Sequence, residues 1–239
     1  MMVQFLYHDG TVSVPSWKNI FSASKGFSGF CPLFCYNIKR SVFLYFYGMT
    51  DAYFADVHFD KTDGKTTPLQ KGEYEHCTFT NCDFAEADLG GMRFVDCRFE
   101  GCNLSLAKLR KTTIRDVVFD NCKMLGLRFD DCDDFGMAFR FTGCVLNHSS
   151  FYKVKARKTA FANTQMHEVD LTECDLTASV LDNCDLAGAT FDNTILEKTD
   201  LRTAYNYALD PERNRLRKAI FSNTGLYGLL GKYDIVVHE

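Results

Sequence analysis

Eleven cysteines in a chain of 239 residues are the first side chains that could carry chemistry, either as zinc ligands or as disulfides. Nine of them, Cys77, Cys82, Cys97, Cys102, Cys122, Cys132, Cys144, Cys174 and Cys184, fall on a five-residue grid. Cys-x4-Cys is not the close C-x2-C pair that wraps a tetrahedral zinc. The bland reading therefore wins: reduced, buried thiols acting as small hydrophobes. Thiols of that kind suit a reducing compartment, and no basic stretch followed by a clean apolar run marks a secretory signal, so the sequence predicts a cytoplasmic protein. The six histidines are scattered; His148 and His167 come nearest to forming a pair. There is no P-loop, no GxGxxG after a strand, no HExxH and no nucleophile elbow. Carboxylates abound but recur along the chain instead of converging. The expectation is a protein without catalytic residues, metal or cofactor.

The grid that holds the cysteines is set by large apolar residues. Tyr74, Phe79, Phe84, Leu89, Phe94, Phe99, Leu104, Leu109, Ile114, Phe119, Met124 and Phe129 follow one another at intervals of five. A helix repeats its buried face near 3.6 residues and a strand near 2, so a period of five requires a chain that turns a corner at every unit. Short internal periods mark solenoids. The run stumbles at Asp134 and Phe139, gains two residues, and resumes from Leu146 through Phe151, Ala156, Phe161, Met166, Leu171, Leu176, Leu181, Leu186, Phe191 and Leu196 to Leu201. Small residues stand two places before most of these centres, and an acid or amide often stands one place before, as in Cys82-Asp83-Phe84, Ala87-Asp88-Leu89 and Cys174-Asp175-Leu176.

With these units the chain resembles the pentapeptide-repeat proteins over roughly residues 74–201, with a weaker extension upstream through Leu69, Phe59 and Phe54 around a loop at 60–68. The resemblance implies an all-β solenoid, a right-handed quadrilateral β-helix with four units per coil, the large and the small residue of each unit both pointing inward. Successive thiols of a Cys-x4-Cys pair then lie on different sides of the square. A column at the second position after the centres on one side, Asn81, Gly101, Asn121, Asn163 and Asn183, reads as a corner, because Asn and Gly tolerate left-handed backbone. Its amides are candidates for a ladder between coils.

The repeat divides the chain into residues 1–48, 49–204 and 205–239. The first segment holds 12 of the 34 aromatic residues and lacks the beat. The beat carries back almost to Met49, and the expectation is that native translation starts there. In the last segment Asp210 is read as an N-cap with Pro211 in the first helical turn. Leu216, Ala219 and Ile220 continue a helical spacing, Leu226, Leu229 and Leu230 form a second patch, and residues 233–237 read as a final strand. Leu216, Ile220, Leu226, Leu229, Leu230, Tyr233, Ile235 and Val237 are thus candidates for an end cap with a short α-helix, and for a homodimer contact.

The interruption of the beat, residues 130–146, is also where charge is densest. Asp130, Asp131, Asp133 and Asp134 precede it; Lys153, Lys155, Arg157 and Lys158 follow one coil later. With four units per coil, Asp131 stacks on Lys153 and Asp133 on Lys155, with Glu173 and Asp175 beneath. A solvated charge ladder is one reading, each exposed pair worth about 0.2–1 kcal/mol. The other makes residues 135–141, with Phe135 and Arg140, a bulge for gripping a partner, since loops on a rigid scaffold carry recognition.

Net charge narrows the partner. Residues 49–239 carry 30 acids against 23 bases, which disfavours direct nucleic-acid binding and favours basic protein surfaces. The stretch from Phe27 to Tyr47 is too broken to span a membrane. The first reading is a non-enzymatic protein-interaction module. The alternative comes from resemblance. The tail around residues 208–230 resembles quinolone-resistance-like and microcin-immunity-like members, which implies a DNA-mimicking protector of DNA gyrase or another type II topoisomerase. The basic strip at 153–158 interrupts the continuous negative face that such mimicry needs.

Overall fold

A computed structural model describes residues 7–8, 11–12, 52–233 and 235. Residues 7–8 and 11–12 form a two-stranded antiparallel pair, Tyr7 opposite Val12. The rest of the 1–48 segment, Met49 and Val237 lie outside the described residues.

From Ala52 onward the chain winds as a right-handed, four-sided parallel β-solenoid of about seven turns. The reason is local. At almost every unit the second residue after the centre has positive φ, from Asp56 and Lys61 through Glu86, Lys111 and Lys153 to Lys198. One left-handed residue every five turns the chain through a corner, and four corners close the coil. The Asn and Gly column was expected to mark one corner; in fact all four sides use this conformation, including Leu106 (φ 58°), which pays a steric penalty there. Where an acid precedes the centre it can fasten the corner: Asp83 Oδ1 accepts the Ala85 N–H at 3.0 Å, Asp88 that of Gly90 at 3.0 Å, and Asp175 that of Thr177 at 3.0 Å. Much of the acidity of the rod is therefore turn chemistry.

Two sides carry regular parallel sheets. One runs through Ala52–Ala55, Gly72–Glu75, Arg93–Val95 and Thr113–Arg115. The other runs through His58–Asp60, Thr78–Thr80, Arg98–Glu100, Val117–Asp120, Phe139–Thr142, Ala160–Ala162 and Val180–Asp182. The other two sides hold to their neighbours through single bridges such as Asp83 with Asn103 and Asp88 with Lys108.

Inside, the centres stack on themselves. Phe59, Phe79, Phe99, Phe119, Phe141 and Phe161 form one column with ring centroids 4.5–5.3 Å apart, an offset-stacked geometry. In many units the small slot holds a group that can donate backwards. Thr112 Oγ1 donates to the Leu89 carbonyl at 2.9 Å, Ser179 Oγ to Ala156 at 2.7 Å, and the Cys97 thiol to Tyr74 at 3.2 Å. Cysteine and threonine are interchangeable here because each is small and satisfies a carbonyl of the preceding coil. All nine gridded cysteines are free, eight of them buried and Cys132 half-buried.

Three expectations change. Residues 60–68 make no excursion: Phe54 pairs with Tyr74 and Asp63 with Asp83, so this coil also has twenty residues. The stretch after Asp210 is not a helix. Parallel bridges join Ile195 to Arg215 and Asp200 to Ile220, carrying the solenoid beyond residue 204. The spacing of Leu216, Ala219 and Ile220 suits a helix, but Leu216 and Phe221 are also on the five-residue beat, with Asn214 and Ala219 in the small slots. The preceding coil supplies the template that decides between the two. Among the described residues only Tyr227–Leu230 is α-helical, between short 3-10 turns, and Tyr233 lies in the second of these, not in a strand.

The third change concerns the interruption. Asp133 lies in register with Thr113, but Phe139 is in register with Val117 and Phe141 with Phe119. Both extra residues therefore sit between Asp133 and Phe139, and Phe141, not Phe139, is the centre. Asp134 is no centre at all; its side chain is exposed. Phe139 and Phe141 both point inward, as alternate residues of a strand must, and stacking on Phe119 and Phe161 selects Phe141.

Candidate functional site

The bulge begins one corner early. Asp131 is a corner residue by count, yet it belongs to a 3-10 turn, Phe129–Asp131, and is not among the left-handed residues. The chain then leaves the square. The Asp133 carboxylate accepts the Phe135 N–H at 3.1 Å, and Gly136 supplies the left-handed residue (φ 70°) that brings the chain back. The coil closes again where the Ala138 N–H donates to the Ile114 carbonyl at 3.0 Å.

At the tip, Phe135 is 72% exposed. Arg115, twenty residues earlier, holds it: the guanidinium lies 5.1 Å from the ring centroid and Nε donates to the Phe135 carbonyl at 3.4 Å. A large aromatic presented on a braced loop is the kind of group that anchors an interface. Arg115 escaped the sequence reading, although a twenty-residue count back from Phe135 leads to it.

Beside the tip lies a cavity of about 550 Å³, lined by Lys111, Phe129, Asp130, Cys132, Asp133, Asp134, Met137, Tyr152, Lys153, Val154 and Lys155. Five of the ten candidate recognition residues meet there: Asp130, Asp133, Asp134, Lys153 and Lys155. Their pairing differs from the expected ladder. Lys153 does meet Glu173, at 3.6 Å, but Lys155 pairs with Asp134 at 3.3 Å instead of Asp133. Asp130 and Asp131 both face Arg128, at 2.6 and 3.6 Å, because the 3-10 turn folds them back toward it. Arg157 takes Asp175 at 2.6 Å, while Arg140 and Lys158 are exposed away from the cavity. Burial pushes the Cys132 thiol well above its ordinary range, reinforced by the charges of Asp131, Asp130 and Asp133, so it stays protonated and weakly nucleophilic.

The histidines stay separate. His148 faces Glu168 at 3.2 Å and His167 faces Asp185 at 2.8 Å; among the described residues no three His, Cys, Asp or Glu gather as metal ligands. No described helix is long and apolar enough to cross a membrane.

At the C-terminal end, Leu216 and Leu229 pack on the core, and Leu230 is half-buried. The helix lies close over Tyr207, where Leu209 N–H donates to the Gly228 carbonyl at 2.9 Å. Lys232 ties the last turn down through Asp210 at 2.6 Å and Glu212 at 2.9 Å. Ile220, Leu226, Tyr227, Tyr233 and Ile235 remain exposed.

Comparison with known proteins agrees with this architecture. The family model for a pentapeptide repeat region matches residues 72–140, and that for pentapeptide repeats, in eight copies, matches residues 170–205. The quinolone resistance pentapeptide repeat protein QnrB96 of Scandinavium goeteborgense is 29% identical over 123 residues, covering 47% of this chain and 54% of that protein. The chain thus spans about half the length of this curated relative. Among solved structures, a trypsin-treated form of QnrB1, a plasmid-mediated fluoroquinolone resistance protein, matches with a TM-score of 0.52 at 19% identity, over 79% of this chain and all of that one. Full-length QnrB1 matches at 0.46 and 19%, over 77% of this chain and all of that one. A five-residue beat, left-handed corners, four-sided coils and two family models meet on residues 72–140 and 170–205, and these stretches of the chain are pentapeptide repeats.

Proposed function

We propose that this protein is a non-catalytic cytoplasmic rod that binds a type II DNA topoisomerase, with gyrase as the leading target, and protects it from quinolones. The observation that carries the reading is the 29% identity over 123 residues to a quinolone resistance protein of the same repeat family. Two physical features support it. A core filled by stacked side chains offers little room for a catalytic pocket, and residues 49–239 have an acid excess that attracts the basic surfaces of a DNA-handling enzyme.

Contact is assigned to the bulge side of the rod. Phe135 is the apolar anchor, Asp130, Asp131, Asp133 and Asp134 face basic groups, and Arg140, Lys153, Lys155, Arg157 and Lys158 set the register. The basic members are inconsistent with a continuous DNA-like negative face, so recognition here is a protein–protein interface rather than a faithful copy of duplex DNA. A homodimer is assigned to the exposed apolar end formed by Ile220, Leu226, Tyr233 and Ile235, since a two-fold contact would cover it.

A gyrase supercoiling assay containing a quinolone tests the reading. Added protein at micromolar concentration should restore supercoiling, and Phe135→Ala should restore less. Supercoiling that stays inhibited at every protein concentration would leave a rod with some other partner.

A further inference from the structure

The cavity beside the bulge contains an unfinished set of interactions. Asp130 is only 10% exposed in its side chain. Its Oδ2 is taken by Arg128 at 2.6 Å, while Oδ1 is buried with no hydrogen-bond partner. A buried carboxylate oxygen left without a donor is costly, more so than a neutral acceptor. Asp133, which also lines the cavity, has no cation within ion-pair distance among the described residues; its Oδ1 holds the Phe135 N–H.

The lysines of the cavity are mostly engaged. Lys153 is held by Glu173 and Lys155 by Asp134, which leaves Lys111 as the one lining ammonium without an ion pair among the described residues. Between the charges the floor is apolar: Phe129, Met137 and Val154. The unmet demand is for a donor with an apolar stem and positive charge.

We propose that this cavity docks an arginine side chain of a protein partner. Its methylene stem lies on Phe129, Met137 and Val154, and its guanidinium reaches the carboxylates of Asp130 and Asp133. Arginine fits better than lysine because its planar fork can serve two acceptors at once and its flat face can lie against the exposed ring of Tyr152. An acidic side chain fits poorly, since it would meet the bare oxygen of Asp130 and the Asp133 carboxylate, with Lys111 alone to offset them. The assignment does not depend on the partner being a topoisomerase.

The full-length protein, titrated with N-acetyl-L-arginine methylamide and followed by isotope-edited methyl NMR, tests this directly. Met137 and Val154 are reporters inside the cavity, and Met92, buried in the core and not part of the lining, is the control for fold. Saturable shifts at Met137 and Val154 with Met92 unmoved are expected. Asp130→Asn should weaken the apparent affinity about tenfold, Asp133→Asn should weaken it less, and Lys111→Gln should leave it unchanged or stronger. The Met92 signal in each variant reports that the solenoid is intact. The proposal is overturned if arginine produces no saturable shift, if N-acetyl-L-aspartate methylamide binds in its place, if both acid variants bind arginine as the parent does, or if Lys111→Gln abolishes the response.

Discussion

Phe119 lies against Phe141, with ring centroids 5.3 Å apart and planes 11° from parallel, although twenty-two residues separate them where every earlier pair in the column is separated by twenty. On its other side Phe119 stacks on Phe99 at 5.2 Å. The column keeps its spacing through the interruption, so the two added residues are expelled outward and the core is continuous beneath the bulge.

Truncating the ring at this junction should open a cavity between two coils. Phe119→Ala is expected to lose about 3–5 kcal/mol of unfolding free energy in a denaturant titration. A loss below about 1 kcal/mol would mean that the ring is not sandwiched as described.

The bulge tip should behave in the opposite way. Phe135 touches solvent and Arg115, not the core, so Phe135→Ala should change stability by no more than about 0.5 kcal/mol. The same variant should lose partner binding in a pull-down or supercoiling assay if the tip is an anchor. Equal stability with undiminished binding would remove Phe135 from the interface.

Asp175 predicts how the rod responds to acid. Burial pulls its pKa upward, but hydrogen bonds from Thr177 and the ion pair with Arg157 outweigh this and hold it below the usual carboxylate range. A folded pKa below the unfolded value of about 3.9 means that its contribution is fully present at neutral pH and is lost as pH falls through the folded value. Asp175→Asn should therefore destabilise the protein near neutral pH and flatten the acid limb of a stability–pH profile below about pH 4. An acid limb as steep as that of the parent would show that this residue does not couple to folding.

The thiols give a direct assay of register. Burial pushes the Cys174 and Cys184 thiols up to about 12, so both should resist a maleimide in the native state at neutral pH and react in denaturant. Peptide mass mapping of the label would check this. Native labelling of Cys184 at the rate of an unfolded thiol would contradict its place in the core.

Relief of strain at a corner is also measurable. Leu106 is 59% exposed and held at φ 58°, a conformation that asparagine tolerates better. Leu106→Asn should raise the melting temperature or leave it unchanged; a clear fall would mean that the Leu106 side chain packs on the neighbouring corner at Gly126 strongly enough to offset its strained backbone.

Much of this was legible from residue spacing, and the exceptions have a common cause. Cys97, Thr112 and Ser179 announce the small slot because the chemistry of that slot repeats at every unit. The Asp134 and Phe139 assignments failed because a beat counted along the chain cannot tell where an insertion is absorbed; only the stacking of Phe141 on Phe119 locates it. The helix expected after Asp210 failed for a related reason: Leu216 satisfies both a helical and a five-residue pattern, and the preceding coil offers the backbone partners that choose.

The sequence by itself determined the solenoid, its thiol-lined core and the position of its one irregular coil, because each unit needs only local information: one large residue inward, one small residue inward, one residue that accepts a left-handed corner. Tertiary structure alone decided what the irregular coil presents. The cavity, the unpartnered oxygen of Asp130, and the pairing of Lys155 with Asp134 and of Arg115 with Phe135 join residues from different coils, and those meetings depend on where the two extra residues leave the square.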